Sequence, residues 1–247
     1  MNTSNPALSD SAFRRIYASE VGVESMTMDG AIKKTGVLFG LLLSTAVVQW
    51  YLMYSPAVNP ALPYATMMGG LIGGLVVALV TIFKPRFAPV TAPIYALLEG
   101  FILGGISVIF DAFYPGIVLP AIGLTFGVMG MMLTVYVTRI IKVTNRFRMG
   151  VTMAIGAVFM VYLITIVMSF FGVYVPFVFE GGPFGILFSL AVVAIASLSL
   201  LLDFDMIERS AAARAPKYVE WYCAFALMVT LVWLYLEILR LLGKMRQ

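Results

Sequence analysis

Four carboxylates stand where apolar sequence would carry them into a membrane. Glu237 lies in Leu231-Val232-Trp233-Leu234-Tyr235-Leu236-Glu237-Ile238-Leu239-Arg240-Leu241-Leu242, a stretch apolar enough to cross a bilayer. Asp203 and Asp205 lie in Ser199-Leu200-Leu201-Leu202-Asp203-Phe204-Asp205, and Glu99 in Tyr95-Ala96-Leu97-Leu98-Glu99-Gly100-Phe101. A charge in hydrocarbon costs roughly 3 kcal/mol on insertion scales, so such residues face a partner, a cavity or a bundle interior, and they mark ion and proton routes. Two acids on consecutive helices could share one proton and titrate as a unit. They could also serve a proton-coupled carrier, or bind or gate Ca²⁺, a hard ion that prefers oxygen ligands. Asp203 with Glu237 is the leading candidate ion-binding and pH-sensing pair, and Glu99 is the next. Structural roles compete with each of these. Arg240 follows Glu237 by three residues and could pair with it along the helix. Arg209 could neutralise Asp205 or Glu208, and Glu99 could hydrogen-bond a neighbouring helix.

Other chemistries are excluded by what is missing. A water-activating pair of intramembrane aspartates resembles Tyr-Asp on one helix and Gly-x-Gly-Asp on the next. Here Asp203 follows Leu202, and the second acid is a glutamate after Tyr235-Leu236. The sequence contains no histidine, which removes Ser-His-Asp and Cys-His catalysis and His-ligated zinc or haem. Cys223 is the single cysteine, so no internal disulfide forms, and its apolar surroundings read as packing. No glycine run precedes a lysine at P-loop spacing. The reading is of a non-enzyme without a cofactor, with calcium only as a candidate permeant ion.

The elements that must position these acids are membrane helices. Hydrophobic residues make up 62% of the 247 residues and charged ones 11%, against about half and about a quarter in soluble domains. Windows of about 19 residues predict helices over 35–54, 63–83, 91–113, 117–138, 150–172, 184–207 and 218–242. The fold class is therefore all-α, a polytopic helical bundle of about seven spans. Residues 1–34 form a polar tail with a short helix expected around 11–20, and residues 35–247 form the transmembrane domain. The apolar run starts only after Lys33-Lys34-Thr35, so the tail is read as uncleaved rather than as a secretory signal.

Lysines and arginines alternate between loops. The tail has Arg14, Arg15, Lys33 and Lys34, and the second, fourth and sixth connections hold Lys84, Arg86, Arg139, Lys142, Arg146, Arg148, Arg209, Arg214 and Lys217. The intervening loops carry only Asp111 and Glu180. This places the N-terminus in the cytoplasm. The net charge of +4 follows from these loops and does not indicate nucleic acid. Seven crossings would leave the basic end with Arg240, Lys244 and Arg246 outside. Either the last segment re-enters, or the earlier loops outvote it.

Glycines recur at small-x-x-x-small spacing: Gly69-Gly70 with Gly73-Gly74, Gly100 with Gly104, and Gly123 with Gly127. In lipid this spacing lets backbones approach closely, so these positions are expected to pack against neighbouring helices.

Leu201-Leu202-Asp203-Phe204, ending the sixth segment, and Leu234-Tyr235-Leu236-Glu237, in the seventh, together resemble the Bax inhibitor family of transmembrane Bax-inhibitor-motif proteins. That family typically has an aspartate ending helix six and Leu-Tyr-Leu-Asp in helix seven. Leu98-Glu99-Gly100 resembles bacterial members. Met26-Thr27-Met28-Asp29-Gly30, Lys34-Thr35-Gly36 and Ala215-Pro216-Lys217-Tyr218-Val219-Glu220-Trp221-Tyr222 resemble a long-tailed bacterial branch. The resemblance spans essentially the whole chain. It implies a multi-pass protein of a bacterial plasma membrane, with helix seven at the centre of seven. It further implies a pH-sensitive calcium leak gated by Asp203 and Glu237, which would also be the calcium ligands, with Arg139 or Arg209 as candidate latches. The partners implied are the lipid bilayer and calcium or protons. An alternative is a non-transporting regulator of other membrane proteins such as proteases, which implies a membrane protein partner. The chain departs from the family pattern in its glutamate and in its longer linker. With the turn at Pro216, the two acids stand roughly 12 Å apart along the helix axis at 1.5 Å per residue.

Overall fold

The computed structural model describes residues 25–172 and 181–247. The expected short helix at 11–20, and Arg14, Arg15 and Glu180, lie outside the described residues. Within them are seven long helices: α1 Met28–Tyr54, α2 Ala61–Phe83, α3 Ala88–Phe113, α4 Val118–Val137, α5 Asn145–Phe170, α6 Pro183–Ala212 and α7 Val219–Lys244. All seven are long and apolar enough to span a membrane. Only a short 3₁₀ turn, Pro85–Phe87, separates α2 from α3.

Local chemistry sets the helix starts. Thr27 caps α1, its hydroxyl accepting from the Gly30 amide at 3.0 Å, and Asp29 in the first turn suits the positive end of the helix dipole. This cap starts α1 at Met28, earlier than the hydropathy window placed it. Thr144 caps α5 in the same way, accepting from the Phe147 amide at 3.2 Å. Pro183 opens α6, where a missing N–H costs nothing. α6 then continues to Ala212, which converts half of the expected charged linker into helix.

Burial shows which helix is central. Along α7 the buried residues run Cys223, Ala224, Phe225, Leu227, Met228, Leu231, Val232, Leu234 and Tyr235, covering every face. A helix that is apolar and buried all round belongs in the middle of a bundle. α7 packs against α1, α3, α4 and α6. α5 buries only Val151, Val158 and Thr165, a narrow stripe at every second turn that rests on α6.

The glycine expectation holds in part. A Cβ on Gly104 would fall 2.5 Å from the Ala46 carbonyl oxygen, and one on Gly100 would strike Thr45 and the Leu42 carbonyl, so these two glycines seat α1 on α3. Gly70 would meet the Leu98 carbonyl at 2.7 Å and Gly73 the Leu98 side chain at 3.3 Å, which seats α2 on α3. Gly69, Gly123 and Gly127 face open space; on α4 the spacing is a coincidence of composition.

The basic C-terminal end does not re-enter. α7 runs unbroken to Lys244, on the face opposite the start of α1. Its charges are engaged there: Lys244 Nζ donates to the Gly185 carbonyl at 3.1 Å and Arg246 to the Pro115 carbonyl at 2.9 Å. Arg240 turns inward to Glu237. These contacts with the α3–α4 connection and the first turn of α6 hold a basic terminus on the face that otherwise lacks basic residues.

Candidate functional site

The intramembrane acids fall into separate clusters. Glu237 is 2% exposed and fully satisfied. Arg240 Nη1 donates to it at 3.0 Å, and Trp233 Nε1 at 3.2 Å. The Tyr162 hydroxyl, from α5, donates to the same carboxylate at 2.9 Å and accepts from Arg240 at 2.6 Å. The helical pairing with Arg240 expected from spacing is thus present, and a tyrosine from another helix completes it.

Asp203 has different surroundings. Its Oδ2 is buried and, among the described residues, has no hydrogen-bond partner. Across the interface, Thr230 of α7 is within hydrogen-bonding reach of the carboxyl. Asp203 lines a cavity of about 380 Å³ between α5 and α6, together with Arg148, Thr152, Asp205, Arg209 and Ser210. At the mouth, Arg148 bonds Asp205 Oδ2 at 2.6 Å and Arg209 Nε bonds Asp205 Oδ1 at 2.9 Å. Both arginine side chains are well exposed, 40% and 54%, so the cavity opens on the basic face.

The two acids expected to share a proton do not meet. Thr230, the α7 neighbour of Asp203, precedes Glu237 by seven residues, about 10 Å of helix. On α5, Thr152 shares the Asp203 cavity while Tyr162 serves Glu237, ten residues or about 15 Å further on. Extending α6 to Ala212 shortens the linker but leaves Glu237 much deeper along α7 than Asp203. Among the described residues no three carboxylate or cysteine side chains converge as a metal group. Neither candidate latch reaches Asp203: Arg209 holds Asp205, and Arg139 holds Glu208 at 2.7 Å beside the Tyr136 hydroxyl.

Glu99 is buried in α3 beside Tyr95, one turn back on the same helix, and opposite Gly74 of α2, whose Cβ would lie 3.9 Å from its Oε2. Its polar partner is therefore on its own helix rather than on a neighbouring one. Cys223 is fully buried and packs, as its composition suggested.

One cluster was not foreseen from the residues. Glu220, in the first turn of α7, is 0% exposed. It accepts from the Thr27 amide at 2.9 Å, from the Thr27 hydroxyl at 3.2 Å, and from Lys34, with Lys217 at 3.3 Å. Beside it, the Met26 amide donates to the Ala215 carbonyl at 2.7 Å. A glutamate in a helix's first turn ordinarily reads as an exposed dipole partner. Only the pairing of Glu220 with the distant Met26–Lys34 segment buries it, and no local spacing reports that.

With seven spanning helices, a central last helix and buried acids on α3, α6 and α7, the molecule is a polytopic membrane bundle with ionisable groups at helix interfaces. Residues 5–247 match the family described as Bax inhibitor 1 like. The chain belongs to that family, over nearly its whole length. No curated protein matches it.

Proposed function

We propose that the protein is a proton-regulated cation leak, with calcium as the ion to test first, and that Asp203 is its titrating group. The observation that carries this reading is the unpartnered, buried Oδ2 of Asp203 at the α6–α7 interface. A buried polar oxygen without a partner is costly, and a proton or a passing cation would satisfy it. Glu237 offers no such vacancy, because Arg240, Tyr162 and Trp233 already occupy its oxygens. The sensor is therefore one acid rather than a proton-sharing pair.

Arg148 and Arg209 form the barrier at the mouth. Two guanidiniums against the single Asp205 carboxylate leave net positive charge where a cation would have to pass. A proton on Asp203 removes the charge that strengthens its hydrogen bond with Thr230 and so loosens that contact between α6 and α7. Leak should then rise as pH falls from about 8 to about 6. The N-terminus and the basic face lie in the cytoplasm of a bacterium on this reading, by the charge rule. A cysteine at Asn145 in a Cys223→Ala background, labelled from outside intact cells by an impermeant reagent, would overturn that orientation.

A second reading is a regulator that transports nothing and acts on another membrane protein. The Glu220 cluster favours it, since it ties the segment following the tail to the start of the central helix. Purified protein in calcium-loaded liposomes separates the two: the leak passes calcium without a partner, and the regulator does not.

A further inference from the structure

Four helices leave a gap in the middle of the bundle. It lies between α1 and α4, with α3 and α7 as its floor, and it holds a cavity of about 100 Å³. The α1 contribution comes from one face at helical spacing, Phe39, Leu42, Leu43 and Ala46. The rim residues Leu43 and Phe126 are 48% and 42% exposed, part of the apolar surface that α1 and α4 present to the bilayer. The floor residues Leu103, Leu231 and Tyr235 are 6%, 2% and 9% exposed. The cleft is thus continuous with the lipid-facing surface at one end and reaches the central helix at the other.

Its chemistry selects the occupant. The hydroxyls of Ser107 and Tyr235 satisfy each other at 2.6 Å, and Thr125 bonds the Ala121 carbonyl of its own helix at 2.7 Å. Water entering would find few free partners, and apolar cavities of this size stay dry and take apolar guests. Leu43 and Leu231 lie near the midpoints of Met28–Tyr54 and Val219–Lys244, so the cleft is at mid-depth in the membrane. Headgroups do not reach that depth, whereas chain ends do.

We infer that this cleft is a binding site for the acyl-chain end of a bilayer phospholipid, which seats between α1 and α4 and packs against Leu231 and Tyr235 of α7. The site is independent of Asp203 and of any leak. It makes the packing of the central helix depend on what the surrounding lipid inserts.

Proteoliposomes carrying a phosphatidylcholine with a photoreactive diazirine at the chain end test this, with adducts mapped by mass spectrometry. Adducts are expected on the buried floor, at Leu103, Leu231 or Tyr235, and a probe with the diazirine on the headgroup should give none there. Ala46→Phe fills the cleft from inside, and Leu43→Trp narrows its exposed mouth without touching the core. Each should cut floor adducts several-fold while leaving labelling of the outer α5 surface, such as Phe159, unchanged. Adducts confined to exposed positions overturn the inference. So do floor adducts that both variants leave unchanged, or floor labelling by the headgroup probe.

Discussion

Lys34 of α1 donates to the fully buried carboxylate of Glu220 on α7, joining the first and last helices of the bundle at one face. The Thr27 amide and Lys217 complete the same carboxylate. Gly30 packs so closely on Glu220 that a Cβ there would overlap its carboxylate, so a side chain at this point would push the carboxylate out of the cluster.

Glu220→Gln should therefore destabilise the protein by about 1.5–3 kcal/mol, the usual worth of hydrogen bonds to a charged group. Glu220→Ala should cost more, because it also strands the Thr27 amide. Thermal unfolding in detergent measures both. A double-mutant cycle with Lys34→Met should show coupling between the two positions; independent, additive effects would mean that the ion pair contributes nothing.

Close approach of α1 and α3 rests on Gly100 and Gly104. Replacing either with leucine should overpack the seam and cost on the order of 1–3 kcal/mol. Gly123→Leu and Gly127→Leu on α4 face open space and should leave the melting temperature close to that of the parent. Equal losses at all four positions would contradict the assigned seam.

The Glu237 cluster behaves as a buried, satisfied ion pair. Arg240→Met removes the guanidinium paired with a carboxylate that is 2% exposed, and breaking such a pair costs about 3–5 kcal/mol. Tyr162→Phe removes a hydroxyl that links both partners and should cost about 1–3 kcal/mol. Pairing Arg240→Met with Glu237→Leu should restore much of the loss. If Arg240→Met leaves the melting curve where it was, the charge is not held in this cluster.

Much of this bundle was legible in the sequence, because membrane helices announce themselves by length and hydropathy alone. All seven spans, and the position of α7 at the centre, followed from apolar runs and from the motif resemblance. Helix ends were less legible. α1 begins at Met28 because of the Thr27 cap, and α6 runs to Ala212 through charged residues that hydropathy discounts. Asp203 and Glu237 both stood out as charges among leucines. They read as a pair in the sequence, although a count of residues at 1.5 Å each already stood against the pairing, and their actual partners were not legible. Tyr162 reads as one more aromatic in an apolar helix, and Thr230 as one more small polar residue. Glu220 was the least legible acid, since its burial depends on the segment that carries Lys34, 186 residues away.

Calcium flux into proteoliposomes of purified protein, measured between about pH 8 and about pH 6, tests the central claim most directly. The parent should leak more as pH falls, and Arg148→Gln should raise the leak across the range by lowering the positive charge at the cavity mouth. Asp203→Asn cannot titrate and should flatten the profile, while Glu237→Gln should keep its slope, which separates a single-acid sensor from a shared-proton pair. An Asp203→Asn profile as steep as the parent's, in protein that still folds, would contradict the account.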